Sequence, residues 1–190
     1  NKSLEWRTAR GFCHKMGRDL CNAVPGARSC FSNYCGDNAP SLIALSAKAT
    51  LVGPEGERTV PVEGLFSHDG KNPFTLRPGE ILSHVSIPLE RTEGGYEKLR
   101  VRASIDYPLA GVAVTRRASG VRICVSGIGP APRLYEVPDP TEAIVKEVVG
   151  KAQGEAKAVA NATLSAAYRK KMVGVLARRA IIKVRKGDGA

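Results

Sequence analysis

The chain has 190 residues, 43% of them hydrophobic and 25% charged, and 29 lysines and arginines against 18 acids give it a formal charge of +11. This length suits one large domain or two small ones, and the composition is ordinary for a globular protein with a buried core. No apolar run approaches the ~20 residues of a membrane-crossing helix, and no export-signal pattern opens the chain, so a cytoplasmic protein is expected. The first residue is Asn1 rather than Met, so the sequence reads as a piece of something longer.

In chain order, Ser3 to Phe12 reads as a short helix with Ser3 as its N-cap. Residues Cys13 to Gly36 show little periodicity and many turn formers, among them Gly17, Pro25, Gly26, Asn33 and Gly36. A loop of this length is uncommon unless something organises it. Asp37-Asn38-Ala39-Pro40 then marks a helix start, with Pro40 in the first turn and Leu42, Ile43 and Leu45 as its apolar residues.

Ala49 to Val52 and Arg58 to Val62 read as strands around the turn Gly53-Pro54-Glu55-Gly56. Ile81 to Ile87 alternates as a half-buried strand. The polar stretch from Pro88 to Gly95 suggests a boundary between two substructures. Strands follow at Tyr96–Arg102, Ala110–Arg117 and Val121–Ile128, the last two joined through Ala118-Ser119-Gly120 as a hairpin.

Four prolines mark the exit: Pro130, Pro132, Pro138 and Pro140. Thr141 to Val149 reads as a helix capped by Asp139 and ended by Gly150, and Ser165 to Val184 as a longer one with a core stripe of Tyr168, Met172, Val175, Leu176 and Ile182. The expected class is α+β, its second part three antiparallel strands packed on two helices.

The basic excess favours anionic partners: nucleic acid, phosphorylated cofactors or acidic protein surfaces. Much of it lies in the last helix, at Arg169, Lys170, Lys171, Arg178, Arg179, Lys183, Arg185 and Lys186. These form either a solvated face or a docking face for an acidic partner.

Four of the five cysteines, Cys13, Cys21, Cys30 and Cys35, are spaced C-x7-C-x8-C-x4-C, while Cys124 stands alone in an apolar run as a small buried hydrophobe. Without an export signal, metal or cluster binding is favoured over disulfides for the four. Thiolates so placed can hold a [4Fe–4S] cluster. A zinc site would more often show tight C-x(2–4)-C pairs, and unliganded thiols are the remaining reading. His14 is read as a loop surface residue.

Five ordered segments carry a resemblance. They are Cys30 to Leu45, Leu76-Arg77-Pro78-Gly79-Glu80-Ile81-Leu82 with Ile87-Pro88, Arg102 to Val114, Tyr168 to Met172, and Val175 to Ala180. Together they resemble the FAD-binding medium subunit of the xanthine dehydrogenase, 4-hydroxybenzoyl-CoA reductase and carbon monoxide dehydrogenase family of molybdenum hydroxylases, over its C-terminal part. The resemblance implies that residues 1–93 end an FAD-binding domain carrying an inserted cysteine loop (13–36), and that 94–190 form the family's C-terminal domain. Glycine-rich loops for the FAD pyrophosphate would lie ahead of Asn1, so a fragment of this extent alone is expected to be inactive.

The resemblance also carries over FAD contacts at Asp37, Leu82 and Lys98. Asp37 would accept from sugar or ribityl hydroxyls, against a plain reading as helix cap. Leu82 would pack on the cofactor, or be ordinary strand core. Lys98 would stabilise negative charge on the diphosphate or reduced ring, or simply face solvent. Asp106 is a candidate for biasing the flavin's electrostatics from a neighbouring loop.

In the subset similar to 4-hydroxybenzoyl-CoA reductase, an inserted loop holds a [4Fe–4S] cluster. The matching positions are Cys13, Cys21 and Cys30, with a fourth falling upstream of Asn1. Cys35 stands where the family more often has a small residue. The implied partners are a large subunit with the molybdenum cofactor and a small subunit with [2Fe–2S] clusters, in a hetero-oligomer. The function implied is electron transfer between FAD and iron–sulfur clusters in an oxidoreductase, with no catalytic nucleophile here. A rival of another class is a basic, metal-binding module that contacts nucleic acid; the 5% aromatic content counts against it.

Overall fold

The computed structural model describes residues 3–138, 140–157 and 164–185. Helix α1 (Leu4–Arg10) is capped by Ser3, whose side chain accepts the Trp6 amide. After the cysteine loop come α2 (Asn38–Ala44), the strands β1 (Lys48–Gly53) and β2 (Gly56–Pro61), and β3 (Ile81–Ser86). These strands form an antiparallel sheet in the order β2-β1-β3. Gly53 pairs with Gly56, which closes a two-residue turn over Pro54 and Glu55. The central strand β1 buries Ala49, Thr50 and Leu51, while the edge strand β3 leaves Ile81 and Leu82 exposed.

The second sheet runs β4 (Glu93–Leu99), β5 (Ala110–Arg117), β6 (Gly120–Ser126) and β7 (Arg133–Val137), all antiparallel in sequence order. The α+β class is as expected, but this sheet has four strands where three were expected. The extra strand β7 lies between Pro132 and Pro138, and the prolines masked it in the sequence. They are tolerated because β7 is an edge strand, pairing with β6 alone. Strand β4 begins three residues earlier than its apolar pattern implied, at Glu93, and takes in Gly94 and Gly95. A Cβ at Gly95 would sit in ordinary van der Waals contact with the Ala180 carbonyl and Lys183, so the last helix crosses the strand closely here.

Period-two alternation gives the sheet two faces. Val112, Val114, Val121, Ile123, Val125 and Tyr135 pack under α3 (Glu142–Glu155) and α4 (Ala166–Arg185). Ala113 and Cys124, on the opposite face, pack with Ile43, Ala44, Leu51 and Phe66. Thr115 on that face donates its hydroxyl to the Ala44 carbonyl at 2.5 Å. Cys124 is fully buried, as expected for a small hydrophobe.

Helix α3 does not stop at Gly150 but runs on to Glu155. Its second half buries Ala152 in the core shared with α4, and that packing outweighs the poor helix propensity of glycine. Its cap is Thr141, whose side chain accepts the Ile144 amide; the cap expected at Asp139 lies outside the described residues. On α4 the core stripe is Val173, Leu176, Ala177, Ala180, Ile181 and Val184. It is rotated from the expected one: Tyr168 and Ile182 are exposed. The small alanines let α4 approach the sheet closely, and the larger apolar residues then fall to the flank.

Candidate functional site

Asp37 precedes α2 with helical backbone angles (φ −86°, ψ −34°), and its side chain makes no cap bond. Its carboxylate turns to strand β4 instead. Tyr96 donates its hydroxyl to Oδ1 at 2.7 Å, and Lys98 donates Nζ to Oδ2 at 2.7 Å. Tyr96 and Lys98 are two apart on one strand and so share the face toward α2. The Lys98 side chain is 18% exposed and that of Asp37 43%, so the pair is anchored from within and open on one side. Burial, and then the neighbouring carboxylate, push the Tyr96 phenol well above its ordinary value.

Two of the three expected cofactor contacts, Asp37 and Lys98, are therefore an ion pair. The plain readings of a helix cap and a solvent-facing lysine do not describe them. Leu82 lies on β3 in the other sheet and is 48% exposed, so it is not strand core. Tyr96 was not singled out in the sequence; its place two residues before Lys98 is the signal that could have found it.

The loop after β4 is organised by Asp106. Its Oδ2 accepts the Val101 and Arg102 amides at 3.1 and 3.0 Å, and its Oδ1 accepts the Tyr107 amide at 3.0 Å. These backbone donors, the Arg102 amide foremost, hold the carboxyl below its usual range. The loop they close presents Val101, Ile105 and Tyr107 to solvent.

In the cysteine loop, Cys13, Cys21 and Cys30 are buried and Cys35 is half-buried. The Cys21 sulfur accepts the Val24 and Phe31 amides, each at 3.4 Å. Burial, before any other influence, raises the Cys30 thiol, which also feels Lys15, Cys21 and Asp69. Cys35 is felt instead by Tyr34 and Arg169. Among the described residues no three histidine, cysteine or acidic side chains stand close enough to hold a metal ion. The four cysteines are thus not assembled as one ligand set. His14 is half-buried rather than a surface residue, its ring Nε2 lying 3.0 Å from the Ala27 carbonyl.

Arg169 departs most from its expected place on a solvated helix face: it is 2% exposed. Its Nε donates to the Leu109 carbonyl at 3.0 Å, and its Nη2 donates to the Leu109 and Gly127 carbonyls, each at 2.7 Å. Asn33 donates to the same Gly127 carbonyl at 2.9 Å. The guanidinium thus ties α4 to the ends of β5 and β6, beside the loop that leads to Asp37. Arg169 stands four residues before Val173, on the same helical face, which is the pattern that could have found it. Lys170, Lys171, Arg178 and Arg179 do face solvent.

Residues 19–90 match the family described as the FAD binding domain in molybdopterin dehydrogenase. With the antiparallel α+β architecture, this makes the chain similar to part of the FAD-binding medium subunits of the molybdenum hydroxylase family. It is 32% identical over 161 residues to the carbon monoxide dehydrogenase medium chain of Afipia carboxidovorans, covering 77% of this chain and 55% of that one. To the glyceraldehyde dehydrogenase medium chain of Sulfolobus acidocaldarius it is 28% identical over 184 residues, covering 89% of this chain and 60% of that one. The solved structure of reconstituted carbon monoxide dehydrogenase from Oligotropha carboxidovorans superposes with a TM-score of 0.70 at 26% identity, covering 79% of this chain and 56% of that one. The chain spans little more than half the length of the curated relatives it matches.

Proposed function

We propose that this chain is part of the FAD-binding, electron-transfer subunit of a molybdenum-dependent oxidoreductase of the carbon monoxide dehydrogenase kind. The observation that carries this reading is the Asp37–Lys98 pair, an acceptor and a cation joined at 2.7 Å with the carboxylate 43% exposed. The donor set fits a nucleotide cofactor: Asp37 has lone pairs left for hydroxyls, and Lys98 supplies positive charge toward a diphosphate or a reduced ring. Leu82 contributes an apolar contact, and Asp106 holds the shape of the neighbouring loop and adds its charge. FAD, when bound, supplies the exchange between two-electron and one-electron carriers. The chain's own residues bind it, orient it and set the charge around it.

In this reading the partners are a large subunit with the molybdenum cofactor and a small subunit with [2Fe–2S] clusters, in a cytoplasmic hetero-oligomer. Among the described residues no helix is long and apolar enough to cross a membrane. A division at 93/94 into an FAD-domain part and a C-terminal domain belongs to the same proposal.

The test is flavin content. In the full-length subunit purified with its partners, Asp37→Ala and Lys98→Ala should each weaken FAD binding by about 10-fold or more, the worth of one charge-assisted hydrogen bond. Undiminished FAD per polypeptide in both variants would sink the reading.

A second reading is a 4-hydroxybenzoyl-CoA reductase-like subunit with a [4Fe–4S] cluster on Cys13, Cys21 and Cys30, with Cys35 or an upstream cysteine as the fourth ligand; the cysteines as they stand do not form that set, so the loop would have to close around the cluster. The two backbone amides donating to the Cys21 sulfur favour it, because such bonds stabilise a thiolate ligand. Iron and acid-labile sulfide counted per flavin separate the two readings: about four of each beyond the partners' share supports the cluster, and none beyond that share rejects it.

A further inference from the structure

We propose that Tyr96 is the positioning residue for the Asp37 carboxylate, and that residue 111 must be glycine to leave Tyr96 room to act. The inference rests on the reading of Asp37 as a flavin contact and deepens it.

Asp37 has no cap bond to its own helix, so nothing local sets its side-chain rotamer. Two donors from β4 do so. Lys98 is a point charge on a flexible stem and can follow the carboxylate wherever it turns. Tyr96 is a rigid ring on the sheet with only two side-chain torsions, and its hydroxyl meets Oδ1 at 2.7 Å. The ring therefore fixes the plane of the carboxylate, and the lysine supplies the charge. An ionised carboxylate offers about four acceptor positions. Two are taken here, and the others are left to the exposed side of the group. With its proton retained far above neutral pH, the phenol remains a donor throughout the physiological range.

Gly111 makes the reach possible. It stands between Lys98 and Ser126 in the sheet register. A Cβ there would lie 2.7 Å from the Tyr96 hydroxyl oxygen and 2.9 Å from the Ser126 hydroxyl oxygen. Any larger residue displaces the phenol from the carboxylate. Space, rather than backbone conformation, selects glycine at this position.

The experiment uses the full-length subunit in its assembled complex, stripped of FAD and titrated with FAD by flavin fluorescence. Tyr96→Phe, Gly111→Ala, Asp37→Ala and the double variant Tyr96→Phe/Asp37→Ala are compared. The expected result is a loss of FAD affinity of about 5-fold for Tyr96→Phe, as for one hydrogen bond, and a similar or larger loss for Gly111→Ala. In the Asp37→Ala background the Tyr96→Phe loss should shrink toward nothing, because the acceptor through which Tyr96 acts is gone. A Tyr96→Phe loss of equal size in both backgrounds would overturn the proposal, since the effect would not pass through the carboxylate. Wild-type affinity in Tyr96→Phe with weak binding in Asp37→Ala overturns the positioning role and leaves the flavin contact standing. Wild-type affinity in Asp37→Ala removes the flavin contact itself, and the positioning role with it.

Discussion

Arg169 spends its donors on two main-chain carbonyls, Leu109 and Gly127, in a site that is 2% exposed. Truncation would leave both acceptors buried without their cation, so Arg169→Ala should cost about 3 kcal/mol in denaturant unfolding, with Arg169→Lys recovering part of it. A second residue-scale device is the bidentate pair in which Arg58 donates to Glu80 at 2.7 and 2.8 Å, with the Arg77 amide donating to the same carboxylate at 2.7 Å. The Arg58 bond, then the Arg77 amide, lower the Glu80 carboxyl from 4.5 to about 2. Its folded-state value is depressed, so its contribution is fully present above the unfolded value and is lost as pH falls from about 4.5 to about 2. Acid unfolding of Glu80→Gln should accordingly be less steep than wild type over that window. Equal slopes would show that the pair does not contribute.

Helix α3 carries two independent levers. Gly150 lies inside it with nothing within 4 Å of where a Cβ would sit. Gly150→Ala should therefore stabilise the protein by about 0.5–1 kcal/mol, read as a raised melting temperature. The Thr141 side chain accepts the Ile144 amide at 3.4 Å, and Thr141→Ala should cost about 1 kcal/mol. The opposite signs test whether the helix runs through Gly150 and begins at Thr141. A helix ending at Gly150 would show no gain from alanine there.

At the scale of the whole molecule, the core under α2 joins residues far apart in the chain: Ile43, Leu51 and Phe66 with Ala113, Cys124 and Ala131. Ile43 is 1% exposed, and Ile43→Ala should cost about 2–5 kcal/mol. The informative readout is hydrogen exchange of the β5 and β6 amides, which should speed up along with those of β1. Unchanged exchange in β5 and β6 would mean that the parts before and after residue 93 unfold independently. The exposed apolar residues Ile81, Leu82, Ile87 and Leu89 gather on and just after β3, an edge strand of the kind that proteins normally cover.

Local pattern determined much of this protein. The hairpin of β5 and β6 was legible in its apolar strands and its Ala118-Ser119-Gly120 turn, as were the two-residue turn after β1, the α2 start at Asp37-Asn38-Ala39-Pro40 and the long last helix. Turn chemistry and periodicity act over a few residues and survive without knowledge of the rest of the chain. The expectation that Asp37 and Lys98 contact a cofactor came from ordered segments that resemble a family, not from spacing. Only tertiary structure decided that these two meet, across 61 residues of chain, with Tyr96 donating to the same carboxylate and Gly111 leaving it room. The same holds for Arg169, whose charge suggests the surface and whose helical face is buried, and for β7, which prolines disguised. Each depends on which faces meet after folding. Burial and long-range contact then override local preference, and no window of sequence contains that information.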